Sequence, residues 1–275
     1  MILFPEIDST EALAREAVEW VRDNLSDKGE IFVGFSGGKD SIVTAEIMRR
    51  SGIPFRLFYS ATGIDPPPVV RFIRREYPDC VFLRPTRSFW KNLAVNVPPS
   101  DRLRWCCTAI KKAPAWKMPH VHRVMGIRAE ESPRRKAYGR VNHFVNAETD
   151  HWQYYPIFRW KEWNLWEFIA AENLPYPSVY DEGFDRVGCV ICPYHSEPSG
   201  RLHAMYRDRW PGFFRLWEKE ISKLWRKRQS AGKKMYHKTP GEFLAAWYRN
   251  QSARWYAEAP TPKKKIGQTT FDELQ

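Results

Sequence analysis

The first half of the chain alternates between segments with helical and with strand-like spacing of apolar residues. Residues 9–25 place their apolar side chains on one face of a helix, and Ser9 or Thr10 can cap its first turn. Residues 30–35 form a short apolar run, which is typical of a strand buried in a parallel sheet. A glycine-rich turn follows, and helical spacing then resumes as far as Gly52.

Further strands and helices are predicted at regular intervals along the next 75 or so residues. The pattern predicts strands over 55–59, 80–83 and 122–127, and a helix over 69–76. Strands that alternate with helices indicate an α/β fold with a doubly wound, mostly parallel sheet. Ligands of such sheets bind at the carboxyl ends of the strands.

The sequence changes character after about residue 200, where apolar residues recur at helical spacing among many Lys and Arg. We expect 1–200 to form the α/β domain and 201–275 to form a basic helical appendage. Within the appendage, 241–248 is predicted to be a short helix and 261–275 a loose tail. We assign its tryptophans to packing: Trp210, Trp217, Trp225, Trp247 and Trp255.

The net charge of +12 is concentrated in this appendage. Residues 201–265 contain 17 Lys/Arg and 5 Asp/Glu, whereas the rest of the chain contains 27 of each. This uneven distribution of charge along the chain favours a polyanionic partner such as nucleic acid. The alternative is a solvated basic face. The predicted phosphate contacts are Arg226, Lys227, Arg228, Lys233 and Lys234.

The composition and the apolar stretches of the sequence indicate the class of protein and the compartment in which we expect it. The 275 residues are 43% hydrophobic and 15% aromatic, which are values of a globular chain. No apolar stretch is long enough to span a membrane, and the first residues lack the pattern of a signal peptide. We therefore expect a cytoplasmic protein without a membrane partner.

The strongest chemical signal is a glycine-rich loop between the first predicted strand and its helix. The loop consists of Ser36, Gly37, Gly38, Lys39, Asp40 and Ser41. Glycines let the backbone approach a phosphate closely, and successive N–H groups at a helix N-terminus favour an anion. The spacing differs from that of a Walker A loop. An ordinary βα turn is the alternative interpretation.

The loop resembles the PP-loop of the adenine-nucleotide α-hydrolase superfamily, and the chain more narrowly resembles the phosphoadenosine-phosphosulfate (PAPS) reductase family. Residues 62–67 are similar to that family's Asp-Thr-Gly loop, with Ala61 in the place of the usual Asp. Residues 126–132 are similar to its Gly-Ile-Arg segment. Later blocks that begin at Pro156, Trp163 and Leu174 extend the resemblance over about residues 30–195.

This resemblance implies that the loop binds the β- and γ-phosphates of ATP, which leave as pyrophosphate when the α-phosphate is attacked. Lys39 and Asp40 are the predicted catalytic residues. Thr62, Gly63 and Arg128 join the loop in the predicted nucleotide site. Mg²⁺ bridging the phosphates is expected.

Four of the five cysteines form two tight pairs, Cys106-Cys107 and Cys189-x-x-Cys192, with 81 residues between them. Four thiolates can hold a [4Fe–4S] cluster or a tetrahedral zinc ion. The adjacent pair is awkward for zinc because neighbouring side chains tend to point apart, so a cluster is favoured over zinc or unliganded thiols. The arrangement resembles the cluster signature of bacterial adenosine-phosphosulfate reductases and related thiolation enzymes. Cys80 is expected to be a core residue.

Sulfonucleotide reductases carry a further cysteine near the C-terminus that attacks the substrate sulfur, and no cysteine follows Cys192 in this sequence. The chain instead resembles the ATP-pyrophosphatase subunit of bacterial DNA phosphorothioation systems (the DndC and SspD type), and more distantly the tRNA thiolases. That resemblance implies that ATP adenylates an oxygen of a nucleic acid, with DNA favoured over tRNA. Sulfur from a cysteine desulfurase then displaces AMP.

Two other functions stay open at this stage. One is a sulfonucleotide reductase that uses a thiol from elsewhere, and the other is a nucleotide-sensing module without turnover. The intact Lys39 and Asp40 argue against the second. A basic cluster, Arg128, Arg134, Arg135 and Arg140, follows the fourth predicted strand and can contact ribose, phosphate or solvent. His195 is expected at the surface.

Overall fold

A computed structural model of the chain describes residues 9–100, 103–195, 201–249 and 255. These residues divide into two compact units, each discontinuous in sequence. The first, here the sheet unit, comprises 9–60, 67–83 and 115–187. The second, here the helical unit, comprises the described residues of 61–66, 84–114 and 188–255. The division at residue 200 stays a prediction, and the predicted tail at 261–275 lies outside the described residues.

The sheet unit is built on six strands in the order β3-β2-β1-β4-β6-β5. They are β1 (Ile31–Gly34), β2 (Phe55–Ser60), β3 (Val81–Leu83), β4 (His122–Met125), β5 (Val141–Asn146) and β6 (Thr149–Tyr154). Neighbours are parallel, except that β5 pairs antiparallel with β6 at one edge. The predicted α/β fold with a mostly parallel sheet is confirmed.

Strands β5 and β6 are absent from the prediction, and the side chains of β6 explain why. Thr149 and His151 are buried although they are polar, so burial and hydrophobicity do not coincide on this strand. Val141 and Val145 on β5 are exposed although they are apolar. A hairpin with this pattern lacks the alternation by which half-buried strands are predicted.

The α-helices of the described residues follow one another as α1 (Thr10–Leu25), α2 (Lys39–Ser51), α3 (Pro67–Glu76), α4 (Phe89–Leu93), α5 (Ala113–Trp116), α6 (Pro133–Lys136), α7 (Glu162–Ala171), α8 (Arg201–Arg209), α9 (Pro211–Ser230) and α10 (Pro240–Tyr248). Ser9 caps α1 by accepting a hydrogen bond from the Ala12 N–H at 3.2 Å. Gly52 ends α2 in the left-handed conformation, with φ +74°. None of these helices is long and apolar enough to cross a membrane.

The core of the sheet unit lies on both faces of β1. Ile31 and Val33 are fully buried and belong to one cluster, which also includes the inward faces of α1, α2 and α7. Phe32 points to the opposite face, where its ring stacks on Phe58 at 4.3 Å between centroids. Burial on both faces is typical of a central parallel strand and explains the apolar run in the sequence.

The core of the helical unit is aromatic. Trp217, Trp225 and Trp247 are at most 2% exposed, and α9 packs against α8 and α10. The Trp247 indole N–H donates to the carbonyl oxygen of Pro99 at 2.7 Å, which fastens α10 to the segment before the first cysteine pair. Trp210 and Trp255 are also buried, so the assignment of the tryptophans to packing is confirmed.

Candidate nucleotide and thiol sites

The glycine-rich loop lies where the strand order of the sheet reverses. The chain proceeds from β1 to β2 and β3 on one side of β1, and β4 lies on the other side. In doubly wound sheets the ligand crevice opens at this switch point, beyond the carboxyl ends of the strands. Residues 36–41 directly follow β1, and Arg128 follows β4. The topology therefore places both predicted segments at the expected ligand position of the sheet unit.

The conformation of the loop depends on its glycines and hydroxyls. Gly37 has φ +70°, and a Cβ at this position would lie 2.8 Å from Ile73 Cγ1. The Ser41 hydroxyl donates to the Gly38 carbonyl oxygen at 2.8 Å and accepts from the Ser36 N–H at 3.2 Å. Gly38 is the N-cap of α2 and provides no side-chain cap. The N-terminus of α2 thus carries the partial positive charge that favours an anion.

Asp40, in the first turn of α2, is held by the arginine that follows β4. Arg128 is 4% exposed, and its Nε donates to Asp40 Oδ1 at 2.5 Å. Its second donor nitrogen binds Glu130 Oε2 at 2.6 Å. A Cβ at Gly126 would lie 2.8 Å from the Asp40 carbonyl oxygen. The segment after β4 is therefore packed directly on the first turn of α2.

Lys39 is buried, with 4% exposure, and its ammonium has partners within the sheet unit. Nζ donates to the Asp185 carbonyl oxygen at 2.5 Å and lies 3.1 Å from Glu162 Oε1. The rings of Trp166 and Tyr180 lie 5.9 and 5.4 Å from Nζ. The Lys39 backbone N–H donates to the Tyr180 hydroxyl at 2.9 Å. The spacing along the chain does not reveal these partners.

The basic cluster after β4 separates into groups with different environments. Arg135 lies near Asp40; burial lowers its pKa, and the neighbouring charge of Arg186 acts in the same direction. Arg140 instead pairs with Glu16 on α1 and donates to the Pro156 carbonyl oxygen at 2.8 Å. Arg140 therefore connects elements of the fold, whereas Arg135 pairs with Glu131 within the segment after β4.

The helical unit contains all four paired cysteines. Cys106 donates a hydrogen bond to Cys107, which raises the pKa of Cys106 and lowers that of Cys107. The charges of Cys189 and Cys192 raise the pKa of Cys106 further, so the two pairs lie within electrostatic range of each other. The structure thus places the four thiols in one unit and within electrostatic range of one another.

A π-helical segment, Cys107–Lys112, carries the first pair into α5. Its hydrogen bonds span five residues, so the backbone turns less per residue than in an α-helix and consecutive side chains diverge less. Such segments often occur at functional sites.

Cations and a hydroxyl surround the thiols in the helical unit. The Arg104 guanidinium lies 3.5 Å from Cys107 Sγ, and Cys189 raises the pKa of Lys111. Cys189 Sγ lies 3.7 Å from Thr62 Oγ1. Thr62 and Gly63, predicted to bind nucleotide, therefore belong to the unit that holds the cysteines and not to that of the glycine-rich loop. Lys111 was not singled out from the sequence as a residue of the thiol site. The only signal for it there is its position four residues after Cys107, one helical turn away.

These residues suit an iron–sulfur cluster in their chemistry, because four thiolates carry negative charge that Arg104 and Lys111 offset. Within the described ranges, no three metal-ligating side chains are arranged around a common metal position. That the four cysteines hold a [4Fe–4S] cluster, and not zinc or no metal at all, therefore stays a prediction. Cys80 is 7% exposed and burial raises its pKa to about 12, which agrees with the expected core role.

The expectation that His195 lies at the surface is wrong. Its side chain is 2% exposed, and its ring packs on Tyr206 of α8 at 4.1 Å between centroids. His203, also on α8, has Nε2 2.9 Å from the Cys192 carbonyl oxygen and Nδ1 3.0 Å from that of Tyr248. Aromatic packing in the helical unit thus anchors the second cysteine pair, which a local pattern cannot reveal.

The predicted nucleic-acid residues differ in environment. Arg226, Lys227, Lys233 and Lys234 are exposed, whereas Arg228 is half-buried and donates to the Val95 carbonyl oxygen at 3.2 Å. On α9 the exposed cations share the face opposite the buried side chains. This α9 basic face consists of Arg215, Lys219, Lys223, Arg226 and Lys227. It extends over about 18 Å at 1.5 Å per residue.

A doubly wound, mostly parallel sheet with a glycine-rich loop at its switch point defines an α/β protein of the adenine-nucleotide α-hydrolase-like fold. Residues 30–195 match the phosphoadenosine phosphosulfate reductase domain, and the chain belongs to this family. The chain is 24% identical over 217 residues to the adenosine 5'-phosphosulfate reductase of Allochromatium vinosum, covering 68% of this chain and 78% of that protein.

The chain is also 28% identical over 218 residues to an uncharacterized protein of Methanocaldococcus jannaschii, covering 74% of this chain and 44% of that protein. It therefore spans less than half the length of that relative. Among solved structures, the phosphoadenylyl-sulfate reductase of Candida auris in a phosphate complex is similar with a TM-score of 0.50 and 16% identity. That match covers 68% of this chain and 97% of the other, and shows the shared fold.

Proposed function

We propose that the chain binds ATP at the glycine-rich loop and splits it between the α- and β-phosphates, transferring AMP to an oxygen of a nucleic acid for later sulfur transfer. The observation that carries this proposal is the loop itself. It lies at the switch point of the sheet and joins β1 to the N-terminus of α2, and its Asp40 binds Arg128 from the segment after β4. Phosphoryl-type transfer needs mainly positioning and stabilisation of charge, which these groups supply.

The proposed first step forms one bond and breaks one. An oxygen of the target attacks the α-phosphorus of ATP, the bond to the bridging oxygen of the β-phosphate breaks, and pyrophosphate leaves with that oxygen. The N–H groups of α2 and the Lys39 ammonium would stabilise the charge of the leaving pyrophosphate. Mg²⁺ bound with ATP would offset part of the phosphate charge. The outer sulfur of a persulfide carried by a cysteine desulfurase would then attack the activated target and displace AMP, and a thiol reductant would cleave the resulting disulfide to release the product.

The environments of the cysteines support ATP over a sulfonucleotide as substrate. Reduction of a sulfonucleotide needs a thiolate that attacks sulfur. In this proposal the four paired cysteines, including Cys107 with its lowered pKa, are ligands of the cluster, and the fifth, Cys80, is buried with its pKa raised to about 12. A thiol of this kind is inert as a nucleophile. A reductase that takes its thiol from another chain is the second candidate, favoured by the similarity to the A. vinosum enzyme.

The four paired cysteines would hold the [4Fe–4S] cluster, with zinc as the less favoured metal. A cluster in this position would supply redox or structural chemistry next to Thr62. Arg104 and Lys111 would offset the charge of its thiolate ligands.

The α9 basic face supports nucleic acid as the target, with DNA favoured over tRNA. Its five cations are exposed on one side of a helix whose other side is buried, so packing of the helical unit does not account for them. Phosphate contacts of this kind position a nucleic acid without reading its sequence.

Pyrophosphate release from ATP by anaerobically purified protein tests the activity. We expect release from the wild type in the presence of Mg²⁺ and nucleic acid, and none from Lys39→Ala or Asp40→Ala. Lys28→Ala, which changes an exposed lysine paired with Asp27, is the matched control and should behave as wild type. Sulfite formation from a sulfonucleotide and a thiol reductant, without pyrophosphate release from ATP, would favour the reductase instead.

A salt series of binding isotherms on duplex DNA tests the target class. Each neutralised phosphate should contribute about −0.9 to the slope of log affinity against log salt. Charge reversal at Lys219, Lys223 and Lys227 should reduce that slope, and Arg228 is left intact because it binds Val95. Reversal of Arg15 and Lys28 in the sheet unit is the control. If the affinity of the wild type for duplex DNA did not depend on salt, the α9 basic face would be a solvated surface and not a nucleic-acid site.

A further inference from the structure

The first N–H group of α2 already has an acceptor in the sheet unit. Lys39 is the first residue of α2, so its N–H has no partner within the helix. The Tyr180 hydroxyl oxygen accepts this N–H at 2.9 Å. A Cβ at Gly38 would lie 3.1 Å from the same hydroxyl, so the phenol rests directly on the backbone of the loop.

The segment that carries this tyrosine is fixed on both sides. Tyr180 is the last residue of a short 3₁₀ helix, Ser178–Tyr180. Two apolar residues of the same segment, Val179 before it and Phe184 after it, are buried, with 1% and 4% exposure. Its ring packs edge-on against Trp166 at 5.0 Å between centroids. The contact with the loop is therefore a built feature of the fold and not the chance position of a surface side chain.

The same region also holds the ammonium of the loop lysine. Glu162 on α7 lies 3.1 Å from Lys39 Nζ, and the Asp185 carbonyl oxygen lies 2.5 Å from it. One backbone donor and the side-chain charge of Lys39 are thus both engaged by residues 162–185. A phosphate that binds this loop must replace or rearrange these contacts.

We propose that the Tyr180 hydroxyl stands in the place of a phosphate oxygen and that nucleotide binds by displacing it, so that Tyr180 sets the affinity of the loop for phosphate. This rests on the proposed function, because it takes the loop to be the phosphate site. A charged phosphate oxygen is a stronger acceptor than a neutral hydroxyl at a helix N-terminus, so the exchange is favourable once ligand is present. The hydroxyl lowers affinity by stabilising the ligand-free loop.

The expected effect follows from the hydrogen bond that the ligand must break. A net contribution of about 0.5–1.5 kcal/mol for a neutral hydrogen bond corresponds to about two- to tenfold in affinity. Tyr180→Phe keeps the ring and its packing on Trp166 and removes the hydroxyl that accepts the Lys39 N–H. It should therefore bind inorganic pyrophosphate and Mg·ATP about two- to tenfold more tightly than wild type. If the hydroxyl instead donated to bound phosphate, the same variant would bind more weakly.

The experiment is calorimetric titration of the full chain with pyrophosphate and with Mg·ATP. Tyr176→Phe is the matched control, because its hydroxyl lies on the same segment but binds Asp181 at 3.1 Å; it should leave affinity unchanged. Glu162→Gln, which releases the Lys39 ammonium from a carboxylate, should also tighten binding and provides a second variant if Tyr180→Phe does not fold.

The outcomes separate this inference from the proposed function. Tighter binding by Tyr180→Phe with unchanged binding by Tyr176→Phe supports the inference. Equal or weaker binding by Tyr180→Phe overturns it, and if the wild type still releases pyrophosphate the proposed function stands. If neither wild type nor Tyr180→Phe binds either ligand, the loop is not a phosphate site and both are overturned.

Discussion

Gly126 offers a direct test of the contact between the segment after β4 and the first turn of α2. An added Cβ would lie 2.8 Å from the Asp40 carbonyl oxygen and 2.9 Å from both the Asp40 carbonyl carbon and Thr44 Oγ1. Comfortable contacts between such atoms begin near 3.5 Å, so Gly126→Ala must separate the two segments by roughly half an ångström. Two of the three obstructing atoms are helix backbone and cannot rotate away.

We expect Gly126→Ala to lose about 1–3 kcal/mol of stability, as overpacking of a close contact does. The same shift acts on the Arg128–Asp40 hydrogen bond, which is 2.5 Å long in the undisturbed site. A hydrogen bond from Arg128 to a bound phosphate would contribute about 1.5–3 kcal/mol, so displacing Arg128 should weaken Mg·ATP binding by about tenfold or more.

Thermal unfolding and calorimetric titration with Mg·ATP, below the unfolding transition, measure the two effects separately. Gly52→Ala is the control, because Gly52 ends the same helix with φ +74° and has no atom within 4 Å of an added Cβ. It should lose about 1–2 kcal/mol from left-handed backbone strain while retaining wild-type affinity. If Gly126→Ala binds Mg·ATP within twofold of wild type, the contact does not position the site.

Two further predictions concern the thiols and a buried histidine. Replacing any of the four paired cysteines with Ser should bleach the brown colour of anaerobically purified protein, whereas Cys80→Ala should keep it; a colourless wild type with stoichiometric zinc would contradict this. Burial lowers the pKa of His151 to about 4, against about 6.5 in an unfolded chain, so the unfolded state binds the proton more readily. Stability should therefore fall as pH decreases from 6.5 to 4, by on the order of 3 kcal/mol, and His151→Gln should flatten that part of a pH series of unfolding curves.

The sequence determines those features whose causes lie within a few neighbouring residues. The apolar run of β1, the Ser9 cap of α1 and the glycines of the loop each follow from local spacing and backbone preference, and the structure has them as predicted. The burial of the tryptophans on α9 follows from helical periodicity in the same way. The arrangement of four cysteines in two close pairs can likewise be read directly from the sequence.

Only the tertiary structure decides which of these features meet. Tyr180 contacts Lys39 across 141 residues, and Arg128 contacts Asp40 across 88, because both pairings depend on the order of strands in the sheet. The helical unit likewise takes Thr62 from the loop after β2 and places it beside Cys189. Local propensity carries no information about such distant partners, since they are fixed by how the elements pack and not by the spacing within any one of them.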